Sequence, residues 1–247
     1  MQRLERTVLD HVAIGTRVLT DGWQLFGGLL GGTWAYGGDS PGYWWGQLRF
    51  AGGPMIELLT PTGGPDAAFL ERFLHSRGPG PHHLNFHVPD IEATLGRARA
   101  AGLEPVGVNL ANARWKEAFL HPKSAHGVVI QVAQQSGPGP QPPPPAGLPA
   151  PAAPSALTLV EHHVADLTGA VLLYEQVLDG EVVARDAAAA DLTWPGGGTI
   201  RLKQSAAVSL GALGDLHFSR PAGPLPQPDL TRLQDLSQRL GTGVRVR

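Results

Sequence analysis

The segment 82–90, HHLNFHVPD, contains a predicted strand and the start of a predicted helix. Polar and apolar residues alternate strictly from His83 to Val88, which predicts a β-strand with one polar face and one apolar face. Pro89-Asp90 then predicts a helix start, because an aspartate side chain accepts hydrogen bonds from the free N–H groups of a first helical turn. A strand that leads directly into a capped helix is the basic unit of the predicted fold.

Units of this kind recur along the chain. LDHVA at residues 9–13 is echoed by EHHVA at 161–165, and the Pro-Asp pair at 89–90 is echoed at 228–229. A glycine follows each pair at the same spacing, at positions 102 and 241, where glycine commonly ends a helix. The repeats predict units of one strand, one helix and two or three further strands at residues 9–62, 82–134, 160–203 and from 213 onwards, with an extra helix at 69–75. The fourth unit is expected to be incomplete.

A proline-rich segment divides the chain. Nine of the 21 residues at 136–156 are proline and none is charged, which predicts an extended, semi-rigid polyproline spacer. We therefore expect one domain at residues 1–135, a linker at 136–156 and a shorter, degenerate domain at 157–247.

Composition excludes several classes of protein. The formal net charge of −2 argues against a nucleic-acid-binding domain, which would normally be basic. The absence of cysteine excludes disulfides and thiolate ligands. The first 14 residues lack the apolar run of a signal peptide, and no stretch approaches the roughly 18 apolar residues of a membrane span. These features predict a soluble, cytoplasmic protein that contacts neither nucleic acid nor membrane.

Four predicted strands each offer one nitrogen or oxygen ligand suited to metal binding, namely His11, Glu57, His83 and Gln131. A carboxylate in a buried strand costs several kcal/mol unless it is paired, protonated or bound to a metal. The separation of His11 from His83 along the chain is nearly equal to that of Glu57 from Gln131, so two copies of one unit would bring all four together. This donor set suits Zn, Ni, Co, Mn or Fe. The alternative is four unrelated polar residues that form ordinary hydrogen bonds.

Asn85 and His87 share the polar face of their strand with His83. A face with two histidines and an asparagine predicts contact with a wet cavity, where Asn85 and His87 would bind substrate or support a ligand. The alternative is a solvated sheet face.

The motifs LDHVAI (9–14), MIELLTP (55–61), GPGPHHLNFHVPDIEA (78–93) and FLHPKSAHGVVIQV (119–132) together resemble the vicinal oxygen chelate superfamily. The branch of glyoxalase I and methylmalonyl-CoA epimerase is the most similar. The resemblance implies an α+β fold of tandem paired βαβββ modules, in which each pair curls around one metal. Carried over by position, it places the ligands on His11, Glu57, His83 and Gln131.

The sequence departs from that branch at several positions. The closing strand has Gln131 where a glutamate is usual, and Glu57 stands where the epimerases have glutamine. The strand at 44–48 lacks the epimerases' catalytic glutamate, although Trp45 and Gln47 there are candidates for a pocket wall. Lys116 resembles a cationic position beside the epimerase pocket, with a surface lysine as the alternative.

In the second domain the equivalent residues are His163, Arg201 and Asp215. Since an arginine repels a cation, no metal is expected there.

The preferred hypothesis is a metal-dependent lyase or isomerase of the glyoxalase type. It would abstract a proton from a small oxygenated substrate and form a metal-stabilised enediolate, with Glu57 as the base. One alternative is an iron-dependent, extradiol-like dioxygenase, because two histidines and one carboxylate are the ligands such enzymes use. Another is a non-catalytic, ligand- or drug-binding member of the superfamily. A homodimer is left open.

Overall fold

The protein repeats the predicted strand–helix–strand order four times in residues 5–137 and 142–247, the part that this computed structural model describes. Module one comprises β1 (Val8–Gly15), α1 (Leu19–Gly22, continued by the π-helical segment Trp23–Leu29), β2 (Thr33–Ser40), β3 (Tyr43–Arg49) and β4 (Met55–Pro61). A short 3₁₀ turn (Pro65–Ala67) and α2 (Ala68–Arg77) follow, which confirms the predicted extra helix. Module two comprises β5 (Gly80–His87), α3 (Ile91–Ala100), β6 (Val106–Asn109), β7 (Trp115–Leu120) and β8 (Val129–Gln135).

The last two modules follow the proline-rich segment. Module three comprises β9 (Ala156–Val164), α4 (Leu167–Leu172, continued by the π-helical segment Leu173–Val177), β10 (Glu181–Arg185), β11 (Ala189–Thr193) and β12 (Thr199–Gln204). Module four comprises β13 (Gly211–Ser219), α5 (Gln227–Arg239) and β14 (Val244–Val246). Module four thus has a single strand after its helix among the described residues, as expected from the shorter repeat.

The strands form two sheets. The eight-stranded sheet has the order β2-β3-β4-β1-β5-β8-β7-β6, and the six-stranded sheet has the order β10-β11-β12-β9-β13-β14. The first and last strands of every module are neighbours, because the helix carries the chain across the sheet. In modules two and three these neighbours run parallel. This arrangement confirms the predicted α+β class with paired modules.

Two strands have sequences that do not indicate a strand. β2 contains two glycines and an aspartate, which are depleted in strands, and β6 is exposed along its whole length. Both are edge strands, and each is held in the sheet by pairing with one neighbouring strand. The helix prediction was better, since the Asp90 side chain accepts a hydrogen bond from Ala93 N at 3.0 Å. In α5, by contrast, Pro226 and not Asp229 occupies the capping position.

The described chain forms two compact units, one of residues 5–11, 83–137 and 159–214 and one of residues 12–82, 142–158 and 215–247. The core of the first unit contains three aromatic rings, with Phe86 5.2 Å from Trp194 and 6.1 Å from Tyr174 between centroids. The core of the second unit contains Phe50 5.1 Å from Phe218. The predicted boundaries of domains at 1–135 and 157–247 stay a prediction.

The described part of the proline-rich segment contacts module one, and the extended, semi-rigid linker at 136–156 stays a prediction. Ala152 N donates to Gly28 O at 3.2 Å, and Ala51 N donates to Ser155 O at 2.8 Å. A Cβ atom at Gly27 would lie 3.2 Å from the Leu148 side chain, so this glycine leaves room for the segment. Residues 138–141 of the predicted linker lie outside the described residues.

Helix α2 covers part of the sheet face that carries Glu57. Leu70 and Leu74 of this helix form a buried cluster with Ala13 and Leu59. Because alternate residues of a strand share a face, Leu59 projects to the same side as Glu57. The helix therefore forms an apolar wall beside that carboxylate. None of the helices in the described part of the chain has the length and apolarity needed to cross a bilayer.

Candidate metal centre

Two imidazoles meet where β1 lies beside β5. His11 and His83 are 2% and 6% exposed, and their ring centroids are 5.5 Å apart. Most of the other residues of both strands are buried, so the strands form part of the sheet interior. The repeat of the strand unit predicted this meeting of the two histidines.

A carboxylate lies close to the two imidazoles. Glu57 is 6% exposed on β4, the strand next to β1, and one ligand atom from each of His11, Glu57 and His83 lies within 4.8 Å of the others. Ligand atoms of a tetrahedral zinc at about 2.0–2.2 Å are about 3.3–3.6 Å apart, so the three side chains would move together by roughly an ångström to hold one ion. A cation would offset the cost of burying the carboxylate. The donors present thus fit a divalent metal.

Two of these donors are oriented by a neighbouring polar side chain. His11 Nδ1 lies 2.8 Å from Asp10 Oδ2, and because a carboxylate only accepts, the imidazole donates its N–H there. In this tautomer Nε2 is the ring nitrogen with a lone pair, as a metal ligand requires. Gln47 Nε2 donates to Glu57 Oε2 at 2.8 Å and fixes one oxygen of that carboxylate. Such support is typical of metal ligands in proteins.

Gln131 lies on β8, one strand further along the sheet. It is paired with Asn85 on β5, and its Nε2 donates to Glu117 Oε2 at 2.8 Å. Because the amide nitrogen is held by Glu117, the carbonyl oxygen is the end that remains for a cation. The role of Gln131 as fourth ligand stays a prediction.

Asn85 and His87 lie on the same strand as His83 and are 0% and 6% exposed. Among the described residues, neither polar atom of the Asn85 amide has a hydrogen-bond partner, and His87 Nε2 has none either. His87 Nδ1 lies 3.5 Å from Asp10 Oδ1. Burial lowers the pKa of His87, with the Asp10 carboxylate opposing it, so the imidazole is neutral at pH 7. Both side chains present hydrogen-bonding atoms that the protein itself leaves unused.

The segment 9–178 matches the family model described as a glyoxalase-like domain. The chain belongs to this family. Membership confirms the resemblance to the vicinal oxygen chelate superfamily and the fold that it implied. No curated protein matches the sequence.

Solved structures are similar to this glyoxalase-like protein over most of its length. A hypothetical protein from Staphylococcus aureus has a TM-score of 0.62 and 13% identity, and the match covers 89% of this chain and 94% of the other. A triple mutant of 4-hydroxymandelate synthase from Streptomyces coelicolor has a TM-score of 0.63 and 15% identity, covering 95% of this chain and 76% of the other. At such identities the likeness is one of fold alone.

A methylmalonyl-CoA epimerase from Mycobacterium tuberculosis is 27% identical to the chain, with a TM-score of 0.47. The match covers 53% of this chain and 89% of the epimerase.

Of the remaining predicted substrate contacts of the glyoxalase-like protein, two lie on the sheet face of Glu57 and one does not. Trp45 and Gln47 alternate on β3, so both project to the face of Glu57, where Trp45 packs against the cluster under α2. Lys116 is not brought together with them. Its ammonium nitrogen lies 3.3 Å from Glu92 Oε1 of α3, on the opposite face of β7 from Glu117.

Two residues of the centre were missed by sequence reasoning. Asp10 directly precedes the candidate ligand His11, so its position next to the histidine was the available signal. Glu117 alternates with Trp115 and Phe119 on β7. A lone carboxylate between two aromatic residues on one strand face resembles Glu57 among its apolar neighbours, and the same burial argument applied to it.

The corresponding face of the second sheet is filled by ion pairs. Arg201 donates to both oxygens of Asp191 at 2.7 and 2.6 Å, and Arg245 Nε donates to Asp215 at 2.6 Å. His163 Nε2 lies 3.6 Å from Glu161. The absence of a metal from this sheet stays a prediction.

Proposed function

We propose that this glyoxalase-like protein is a metal-dependent lyase or isomerase that removes a proton from carbon in a small oxygenated substrate. The single observation that carries the proposal is the buried Glu57 carboxylate, with ligand atoms of His11 and His83 within 4.8 Å. A hydrogen-bonded carboxylate alone would not need two buried imidazoles beside it. A metal centre with a carboxylate explains all three residues.

His11, Glu57, His83 and Gln131 are the residues that would hold the ion. When bound, a divalent ion such as Zn, Ni, Co, Mn or Fe would act as a Lewis acid that stabilises negative charge on substrate oxygens. Asp10 and Gln47 orient two of the proposed ligands through hydrogen bonds of 2.8 Å. These supporting contacts favour a preorganised set of donors.

Glu57 is proposed as the base. The substrate C–H bond breaks, the proton passes to a carboxylate oxygen of Glu57, and the electron pair stays on the substrate as an enolate. Gln47 holds Oε2 of this carboxylate, which fixes the direction in which the base points. A well-placed general base contributes about 10²–10⁴-fold to the rate.

Asn85 and His87 are proposed to bind the substrate. The neutral His87 offers an Nε2 lone pair to an O–H or N–H group, and the Asn85 amide offers both a donor and an acceptor. Trp45 and α2 supply an apolar wall on the side of Glu57. These groups suit a small molecule with hydroxyl and carbonyl oxygens at one end.

The test combines metal content with hydrogen exchange. Purified protein should contain about one divalent ion per chain and should exchange hydrogen for deuterium in dihydroxyacetone, 2-oxobutanoate or propionyl-CoA dissolved in D₂O. Glu57→Gln should lower the exchange rate by about 10²–10⁴-fold. Glu104→Gln, which changes an exposed carboxylate, should leave the rate unchanged. Failure to bind any divalent metal, or unchanged exchange in Glu57→Gln, would contradict the proposal.

A second candidate is an iron-dependent oxygenase. It is favoured by one observation, the group of two histidines and one carboxylate, because non-haem iron oxygenases use that set. Iron in the purified protein together with oxygen uptake in the presence of catechol would favour the oxygenase. Exchange without oxygen uptake would favour the lyase or isomerase.

A further inference from the structure

Three tryptophans of module one lie together on the sheet face opposite the proposed metal centre. Trp34 on β2 and Trp44 on β3 stack with their ring centroids 6.1 Å apart, and Trp23 of the π-helical segment meets Trp44 edge-on at 5.9 Å. Trp44 is three residues from Gln47 on the same strand, so it projects away from the face that carries Gln47 and Glu57. These three rings are termed the tryptophan cluster.

Two strand glycines leave room for the rings of this cluster. Gly37 of β2 and Gly46 of β3 are partners in the β2–β3 ladder. A Cβ atom at Gly37 would lie 2.6 Å from the Trp34 ring, and one at Gly46 would lie 2.8 Å from the same ring. Glycine inside a strand commonly marks such a close approach, although it weakens the strand. The backbone of module one is thus adapted to the position of Trp34.

The proline-rich segment has one side turned toward module one. Pro142 and Pro145 are half-buried, whereas the two prolines between them are exposed. Consecutive prolines favour the polyproline II helix, because each ring fixes its own φ and disfavours the helical region for the residue before it. This helix has three residues per turn, so side chains three apart lie on the same side. The burial pattern therefore matches a polyproline II turn that lies on the protein surface.

The tryptophan cluster binds the beginning of this segment. Trp34 Nε1 donates to the carbonyl oxygen of Pro142 at 2.9 Å. Because proline has no N–H group, carbonyl oxygens are the only backbone groups through which a run of prolines can be hydrogen-bonded. Further along, a Cβ atom at Gly147 would lie 3.7 Å from the Trp23 ring, so the chain passes this ring at contact distance.

The segment continues onto the glycines of the π-helical segment. Leu148 N donates to Pro145 O at 3.3 Å and closes a turn. A Cβ atom at Gly27 would lie 3.2 Å from the Leu148 side chain, and one at Gly28 would lie 3.3 Å from the Pro149 ring. Residues 142–149 thus follow a continuous surface of tryptophan and glycine.

These contacts have the chemistry of peptide recognition. Segments with prolines three residues apart bind aromatic-lined surfaces of several recognition domains, because a preformed polyproline II helix loses little conformational entropy on binding. An indole supplies both an apolar ring and one N–H donor. Residues 136–156 carry no charge, so the recognition would depend on ring contacts and on the Trp34 hydrogen bond.

We propose that the tryptophan cluster is a binding site for uncharged proline-rich peptides with prolines three residues apart, and that residues 142–149 are its tethered ligand. A short tether gives such a ligand an effective concentration in the millimolar range, so a proline-rich segment of another protein would bind by displacing it. The site lies on the other sheet face from Glu57. The inference is therefore independent of the proposed function, and failure of either leaves the other standing.

The test uses the full chain with the half-buried residues of the segment replaced, namely Pro142→Ser, Pro145→Ser, Leu148→Ser and Pro149→Ser, here termed the segment variant. The probe is a synthetic peptide of residues 142–154, PPPPAGLPAPAAP. Binding is measured by tryptophan fluorescence and by the NMR signal of the Trp34 indole N–H. The control peptide carries the same four serine substitutions.

The peptide should bind the segment variant and restore the wild-type position of the Trp34 N–H signal. Its affinity for the wild type should be lower by about 10-fold or more, because the tethered segment competes. Trp34→Phe in the segment variant keeps a ring but removes the donor, and it should weaken binding by about 3- to 10-fold, the value of one hydrogen bond. Trp115→Phe, which removes an indole from β7, should leave the affinity unchanged.

Two results would overturn the inference. One is a folded segment variant that does not bind the peptide, or binds the control peptide equally well. The other is an affinity that Trp34→Phe leaves unchanged. If the segment variant does not fold, Trp34→Phe in the otherwise unaltered chain decides. Release of the segment should then speed hydrogen exchange of the Ala152 amide, which donates to Gly28 O, by about 3- to 10-fold. Unchanged exchange would refute the proposed binding site.

Discussion

The acidic residues of the two sheets differ in the side chains that donate hydrogen bonds to them. In the six-stranded sheet, Lys203 donates to Glu161 at 2.8 Å, and Asp191 and Asp215 accept from arginines at 2.6–2.7 Å. In the eight-stranded sheet, the amides of Gln47 and Gln131 hold Glu57 and Glu117. The same repeated backbone thus neutralises its carboxylates with lysine or arginine in one sheet. In the other, two carboxylates each accept a hydrogen bond from a glutamine amide.

This difference indicates what each face can bind. A guanidinium paired to an aspartate occupies both the charge and the space that a metal would need. An amide orients a carboxylate without cancelling its charge, so a cation from outside is still attracted. Equivalent positions of a repeated fold can therefore serve stability in one copy and ligand binding in another. Which applies is decided by the residues beside the ligand position.

The largest effect should come from a matched pair of histidine variants. Four-ligand zinc sites contribute about 10–16 kcal/mol, so the loss of one ligand should cost roughly 3 kcal/mol or more, at least about 100-fold in affinity. We expect that loss in His83→Ala and no change in His163→Ala, measured by titrating metal-free protein with Zn²⁺. Similar losses of Zn²⁺ affinity in both variants would contradict the proposed difference between the two sheets.

The pH dependence of stability should separate structural from ligand-binding imidazoles. Burial lowers the pKa of His162 to about 4. Its two ring nitrogens are hydrogen-bonded to the Tyr174 hydroxyl and to the His126 carbonyl oxygen. In the unfolded chain the histidine pKa is about 6.5, so the unfolded state binds the proton first as the pH falls. His162 therefore contributes fully above pH 6.5, and this contribution falls by on the order of 3 kcal/mol toward pH 4.

Urea unfolding at pH values from 7 to 4 measures this effect. The free energy of unfolding should fall more steeply in the wild type than in His162→Gln, which has no titrating ring. Parallel curves for the two proteins would show that His162 is not a buried neutral imidazole.

The smallest effect concerns the buried amide of Asn85, which should lower stability while it contributes to substrate binding. A buried amide without partners costs about 1–3 kcal/mol, so Asn85→Leu, of similar shape, should raise the free energy of unfolding by about 1 kcal/mol while slowing hydrogen exchange of the substrate. Arg201→Met, which removes a partly exposed ion pair of the second sheet, should lower the free energy of unfolding by less than about 1 kcal/mol. A destabilised Asn85→Leu variant would mean that the amide has a structural role.

The sequence predicted the parts of the centre that depend on periodicity. Alternation along 83–88 and the matching separations of the two pairs of candidate ligands identified the strand faces, and the structure brings His11, Glu57 and His83 together. The hydrogen bond between Gln131 and Glu117 depends on the β7–β8 register. In this register Gln131 lies opposite Phe119 and contacts Glu117 diagonally. Register is set by pairing between strands and is not visible in one strand. The packing of residues 142–156 on Gly27 and Gly28 depends likewise on a surface formed only after module one folds.

Helix α2 has a consequence for the geometry of turnover. Its leucines pack on the Leu59 side of Glu57, so a molecule held at this carboxylate is expected to extend away from the helix. A compound whose acidic carbon lies in the middle of a long chain would need room in both directions. Under the proposed function, we therefore expect the substrate to react near one of its ends, with any bulky group extending away from the helix.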